Sequence, residues 1–166
     1  MNNKGFISFE IIMVFNVILV CFLITYNIFI FSNKDIKNNY SNTVILTNFI
    51  NTKNFIDKKL IYTKNILKVK TKENEFKSYD SFKKDFVKEI YFYNNLDVVS
   101  IAIKDNKLIY KGNALYDNRY YEISEFIDDI QIKKIKRNLL QIKFYYEHKK
   151  IKKDFDMIIY LYNINV

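Results

Sequence analysis

From Ile11 to Asn33 the chain carries no charged residue, no Pro and no Gly. An uninterrupted apolar run of this length matches the roughly 20 residues that an α-helix needs to cross a bilayer. Its strongly polar interruptions are Asn16 and Asn27, amides that a helix in contact with other helices satisfies by hydrogen bonding. A buried helix of a soluble protein seldom needs so long a run. A secretory signal peptide would end in small residues, whereas this run ends in Phe31, Ser32, Asn33 and Lys34. The segment therefore reads as a membrane span that stays attached to the rest of the chain.

The chain has 166 residues in all, long enough for one folded unit besides this segment. Hydrophobic residues make up 49% and aromatics 17%, enough to bury a core and to argue against disorder. Pro is absent and the two glycines are Gly5 and Gly112, so long elements are favoured over flexible linkers. Beyond the span, Ile36, Tyr40, Val44, Ile50 and Leu60, with neighbours Leu46, Phe49, Phe55 and Ile56, recur at broadly helical spacing. This predicts one helix from Phe6 to near Lys68, with an apolar stripe facing a domain. Residues 71–88 fit either a short helix through Phe82, Phe86 and Ile90 or a loop. After that the period becomes two. Val98 to Lys104 and Leu108 to Tyr110 flank Asp105-Asn106, a pair suited to a tight hairpin turn. Ile130 to Ile135, Leu139 to Tyr146 and Phe155 to Tyr162 read as a meander, its turns at Arg137-Asn138 and around His148. The expected fold class is α+β, a long N-terminal helix packed on an antiparallel sheet of four or five strands.

Cys21 is the single cysteine and His148 the single histidine, which leaves no disulfide, no His-rich metal site and no triad-like grouping. The pairs Asp128-Asp129 and Asp154-Asp156 lack the oxygen-rich spacing of a calcium loop and read as solvated charge. No catalytic residue, cofactor or metal site is expected. The net charge of +9 raises nucleic acid as a partner, but only Arg119 and Arg137 are Arg. Without the bidentate guanidinium fork, a lysine surface supports at most weak DNA contact.

Ahead of the span the order is Lys4, Gly5, Phe6, then Glu10, then unbroken hydrophobicity. A carboxylate inside a membrane helix costs about 2.5 to 3.5 kcal/mol on insertion scales and is usually paired or functional. The segment resembles the class III signal of type IV prepilins, with a short basic leader ending in Gly, a mature chain starting at Phe and Glu as its fifth residue. The resemblance implies cleavage after Gly5 by a prepilin peptidase, N-methylation of Phe6 and use of Glu10 in assembly against the amine of a neighbouring subunit. It divides the chain into a leader (residues 1–5), a transmembrane and assembly half-helix (6–33), an amphipathic half-helix (34–68) and a sheet domain (69–166). Ile7, Ser8 and Phe9 and the missing mid-span Pro or Gly point to a minor subunit. The C-terminal plan is loosely similar to J-type minor pseudopilins, PilW-type minor pilins and the competence pseudopilin F. Implied partners are the peptidase, other pilin or pseudopilin subunits, an inner-membrane assembly platform and the membrane. The implied place is the cytoplasmic membrane with the C-terminal domain outside the cytoplasm, then the filament. Lys34 and Lys37 outnumber Lys4 across the span, which by the positive-inside rule gives the alternative, a single-pass anchored protein with a basic cytoplasmic interaction domain.

Overall fold

The computed structural model of the chain describes residues 4–60, 63–78, 81, 83–94, 97–113, 119–136 and 138–161. It divides into two compact units, residues 1–40 and 41–166. A single helix, α1 (Lys4–Leu60), opens the chain, and Lys58 and Lys59 stand in its last turn, where cations meet the negative end of the helix dipole. In the first unit every described side chain from Phe9 to Ser32 is exposed. In the second, Ser41, Ile45, Thr52, Ile56 and Leu60 are buried, so the face that packs repeats with helical period. Val44, Phe49 and Phe55 are partly buried, while Leu46 and Ile50 of the expected stripe face solvent.

The helix ends at Leu60 and not near Lys68. From Thr63 the residues TKNILKVKT include β-branched side chains and form strand β1 (Thr63–Thr71), whose buried Thr63, Ile66 and Val69 fall three apart because the pairing with the later strand Lys84–Asn94 shifts register along it. The later strands are β2 (Phe76–Ser78), β3 (Lys84–Asn94), β4 (Asp97–Lys104), β5 (Lys107–Lys111), β6 (Tyr121–Glu125), β7 (Ile127–Lys136), β8 (Leu139–His148) and β9 (Ile151–Tyr160). All described pairings are antiparallel. The expected hairpin and meander are present, β4 with β5 and β7 with β8 and β9. The sheet has nine strands among the described residues, against the four or five expected. The additions are β1, β2, β3 and β6. Residues 71–88 are a turn, β2 and the start of β3, and Phe82 lies outside the described residues.

Strand order is β6-β5-β4-β3-β7-β8-β9, with β1 on β3 and β2 on β1. β3 pairs with β4 through Glu89 to Asn94 and with β7 through Lys84 to Val87. β6 and β7 stand apart in this order, yet only Phe126 separates them in the chain. Phe126 adopts φ 63°, its carbonyl accepts from Glu147 N at 2.9 Å, and Ile127 N donates to Asn106 O at 3.0 Å. A one-residue link between separated strands requires the sheet to curl. Curling explains why β4 is buried on both faces, with Val99 and Ile101 toward the core and Val98, Ser100 and Ala102 on the other side.

Two tight turns take the left-handed backbone, Asp105 (φ 52°) with Asn106 (φ 58°), and Lys149 (φ 49°) with Lys150 (φ 74°). Asp-Asn tolerates that conformation and Lys-Lys does not, since a Cβ there costs roughly 1–2 kcal/mol per residue. Replacing Lys149-Lys150 with Asn-Gly is expected to raise unfolding stability by about 1 kcal/mol, read from the shift in denaturant midpoint at constant slope.

The core lies between the second part of α1 and the inner face of the sheet. Alternate residues Leu140, Ile142, Phe144 and Tyr146 of β8 are buried, with Ile130 and Ile132 of β7, Ile90 and Phe92 of β3, and Met157 and Ile159 of β9. Polar ties fix the helix against this face. Thr52 Oγ1 lies 2.7 Å from Ser124 Oγ and 2.9 Å from the Tyr146 hydroxyl, all three buried. One turn earlier, Asn48 Oδ1 accepts from Glu125 N at 2.8 Å.

Candidate functional site

The residues singled out by sequence, Gly5, Phe6 and Glu10, all fall within α1. Met1 to Asn3 lie outside the described residues, as does the side chain of Phe6. Phe6 and Glu10 are four residues apart, about 6 Å along the axis and on the same side of the helix by its geometry. The Glu10 side chain is exposed, and the uncharged stretch behind it stays exposed through Ser32. The helix is long and apolar enough to cross a membrane, and the apolar window buries none of its side chains in the protein. A row of large apolar side chains with nothing packed on it is what a lipid or helix environment complements. Within the run, Asn16 Nδ2 donates to Ile12 O at 2.9 Å and Thr25 Oγ1 to Cys21 O at 2.8 Å, so both satisfy themselves on their own helix. Cys21 is exposed on the same segment.

A second polar group sits on the sheet face opposite the helix. Glu89 is buried, accepts from Ser100 Oγ at 2.7 Å, and lies 3.3 Å from Lys111 Nζ. Beside it the Tyr91 phenol is pushed up to about 12, first by burial and then by the hydrogen bond and charge of Glu89. Ser100, which is wholly buried, and Lys111 both bond Glu89, so the group holds strands β3, β4 and β5 in register. Sequence reasoning missed this group. The signal available was Glu89 within the apolar EIYFY run, a place where an unpaired carboxylate would be costly.

The aspartates take part in surface ion pairs. Asp129 meets Lys72, Asp154 meets Lys143, and the Asp154 carboxyl is held below the usual range by its hydrogen bond to Lys143. Other lysines are matched in the same way, Lys77 with Asp85, Lys107 with Glu122 and Glu125, and Lys152 with Glu147. Several lysines are thus interleaved with carboxylates, and Arg137 lies outside the described residues. His148 closes β8 with its ring 4.5 Å from that of Phe126, a packing position at a turn. Among the described residues no group of three or more His, Cys, Asp or Glu is placed to hold a metal ion. Comparison with known protein families, curated proteins and solved structures finds no match to this chain.

Proposed function

We propose that the chain is a minor type IV pilin or pseudopilin, a structural subunit of a thin filament serving secretion, DNA uptake or twitching. In this reading a prepilin peptidase cuts after Gly5, Phe6 becomes the methylated N-terminus, and Glu10 pairs with the terminal amine of a neighbouring subunit. The span anchors the subunit in the cytoplasmic membrane, with the sheet domain outside the cytoplasm, until the assembly platform draws it into the filament. No catalysis of its own is assigned to it.

The observation that carries this reading is one continuous helix, Lys4–Leu60, that bears Gly5-Phe6 and Glu10 at one end and a sheet-packing face at the other, with an uncharged exposed segment between. The mature protein is expected to begin at Phe6 with a methylated amine, and Gly5→Val is expected to abolish cleavage. Intact mass and terminal sequencing decide it. A chain that keeps Met1 to Gly5 in cells with a working prepilin peptidase would overturn the proposal.

The lysine asymmetry across the span favours a second reading, an anchored protein whose basic domain lies in the cytoplasm. Digestion of the sheet domain by protease added to spheroplasts separates the two, since a cytoplasmic domain would be protected.

A further inference from the structure

On the outer face of the sheet, strands β3, β7, β8 and β9 bound a cleft of about 200 Å3 lined by Lys84, Gln131, Lys133, Gln141, Lys143 and Asp156. The register explains the cluster. Lys84 lies directly opposite Lys133, Lys133 opposite Gln141, Gln131 opposite Lys143, and Lys143 opposite Asp156. Like charges directly opposite each other on neighbouring strands are destabilising. The other like pair in register among the described residues, Lys104 and Lys107, is relieved, because Lys107 bonds Glu122 and Glu125 and Lys104 rests 5.0 Å from the Tyr120 ring centroid. Lys84 and Lys133 have no such relief: among the described residues neither has a carboxylate partner.

The neighbours add donors. Gln131 receives the Tyr145 hydroxyl at 3.5 Å on its Oε1, which leaves its NH2 group available. Asp156 also lines the cleft, and its negative charge acts on Lys143, whose ammonium is already bonded to Asp154 and held above the usual lysine range by it and then by Asp156. Lys84 and Lys133, without a carboxylate partner within ion-pair distance among the described residues, and two amides line a space large enough for a tetrahedral oxyanion. A dianion matches the two charges, and its several acceptor oxygens match the donors.

We propose that this cleft binds a phosphate group, held between Lys84 and Lys133 with the amides of Gln131 and Gln141 as further donors. The site belongs to the sheet alone, so it stands or falls independently of processing at Gly5 and of filament assembly. The phosphate can come from solution or from a lipid headgroup, since both present the same group.

The test uses the full chain in a phosphate-free maltoside detergent. Inorganic phosphate is titrated against sodium chloride at constant ionic strength, with binding read by calorimetry and by the thermal midpoint. Constant ionic strength removes general screening as a cause. Saturable binding is expected, weakened about ten-fold or more by Lys84→Gln or Lys133→Gln, the scale of one lost charge-assisted hydrogen bond. Asp156→Asn is expected to tighten it by a few-fold, and Lys70→Gln, on another part of the sheet, to leave it unchanged. Lys133→Glu guards against a folding artefact, since it replaces the like pair with an opposite pair. It is expected to abolish the phosphate response while melting in chloride at or above wild type. Absence of saturable binding, or equal affinity in wild type, Lys84→Gln and Lys133→Gln, would overturn the site. The same chains in phosphatidylcholine nanodiscs with and without phosphatidic acid identify the source: stabilisation by phosphatidic acid that is lost in both variants assigns a headgroup, and its absence beside intact phosphate binding assigns a soluble phosphate.

Discussion

Glu10→Ala is expected to leave cleavage after Gly5 and the sheet domain unchanged while depleting the protein from sheared filaments by one or more orders of magnitude. The carboxylate is exposed on α1 and makes no described contact with the core, so nothing in the domain depends on it. In the proposed assembly it is the partner of a terminal amine in a low-dielectric setting. Removing one member of a desolvated, hydrogen-bonded charge pair costs about 2 to 5 kcal/mol, and each 1.4 kcal/mol is about ten-fold in an equilibrium. Glu10→Gln keeps the shape and a hydrogen bond but loses the charge, and is expected to fall between the two. The comparison is made by intact mass for processing, by protease resistance of the domain, and by recovery in the filament fraction. Equal recovery of all three proteins would reduce Glu10 to an interfacial charge and move the balance to the anchored cytoplasmic reading.

Tyr146→Ala is expected to destabilise the sheet domain by about 3–5 kcal/mol, the range for removing a large aromatic from a packed core. The ring is 1% exposed and meets Phe49 and Phe155 edge-on at 6.5 Å and 5.9 Å. Tyr146→Phe is a milder change of about 1 kcal/mol, because Thr52 and Ser124 still hydrogen-bond each other when the phenol is gone. The pair of variants therefore separates packing from hydroxyl. Burial also pushes the Tyr146 phenol up to about 12 from 10.0, with the bonds to Thr52 and Ser124 opposing. The folded state thus favours the neutral phenol. Its contribution, about 2 to 3 kcal/mol for a shift of this size, is complete below pH 10 and is lost as pH rises toward 12. Alkaline unfolding should be less steep across that window in Tyr146→Phe than in wild type, as measured by circular dichroism. Identical alkaline profiles would contradict the assignment.

The membrane-length helix, the hairpin at Asp105-Asn106 and the β7-β8-β9 meander were legible because each rests on a local period with matching turn residues. The helix end was not. Leu60 to Thr71 lacks Gly and Pro, and KNILKVK carries apolar residues at spacings that satisfy a helix as well as a strand; pairing with β3 decides it. Phe86 and Ile90 suggested a helical period for the same reason, yet both belong to β3, where the register shifts along β1. β6 was hidden because its inward residues are few, Ser124 among them, and its place is set by Thr52 and Asn48 from a distant helix. Of the candidate assembly site, the helix carrying Gly5, Phe6 and Glu10 was readable from residues alone. The phosphate cleft was not, since Lys84 and Lys133 become neighbours only through strand register.

The spacing of Asn48 and Thr52 on α1 has a mechanical meaning. These side chains sit about one helical turn apart and are tied to β6 and β8, with Ile45, Ile56 and Leu60 packed on either side of them. A pull along the helix axis slides this whole face over the sheet at once, so the ties and the packing resist in shear and share the load. Peeling the helix from its Leu60 end would instead break the same contacts one after another at lower force. A domain built this way withstands tension applied along its helix far better than tension applied across it.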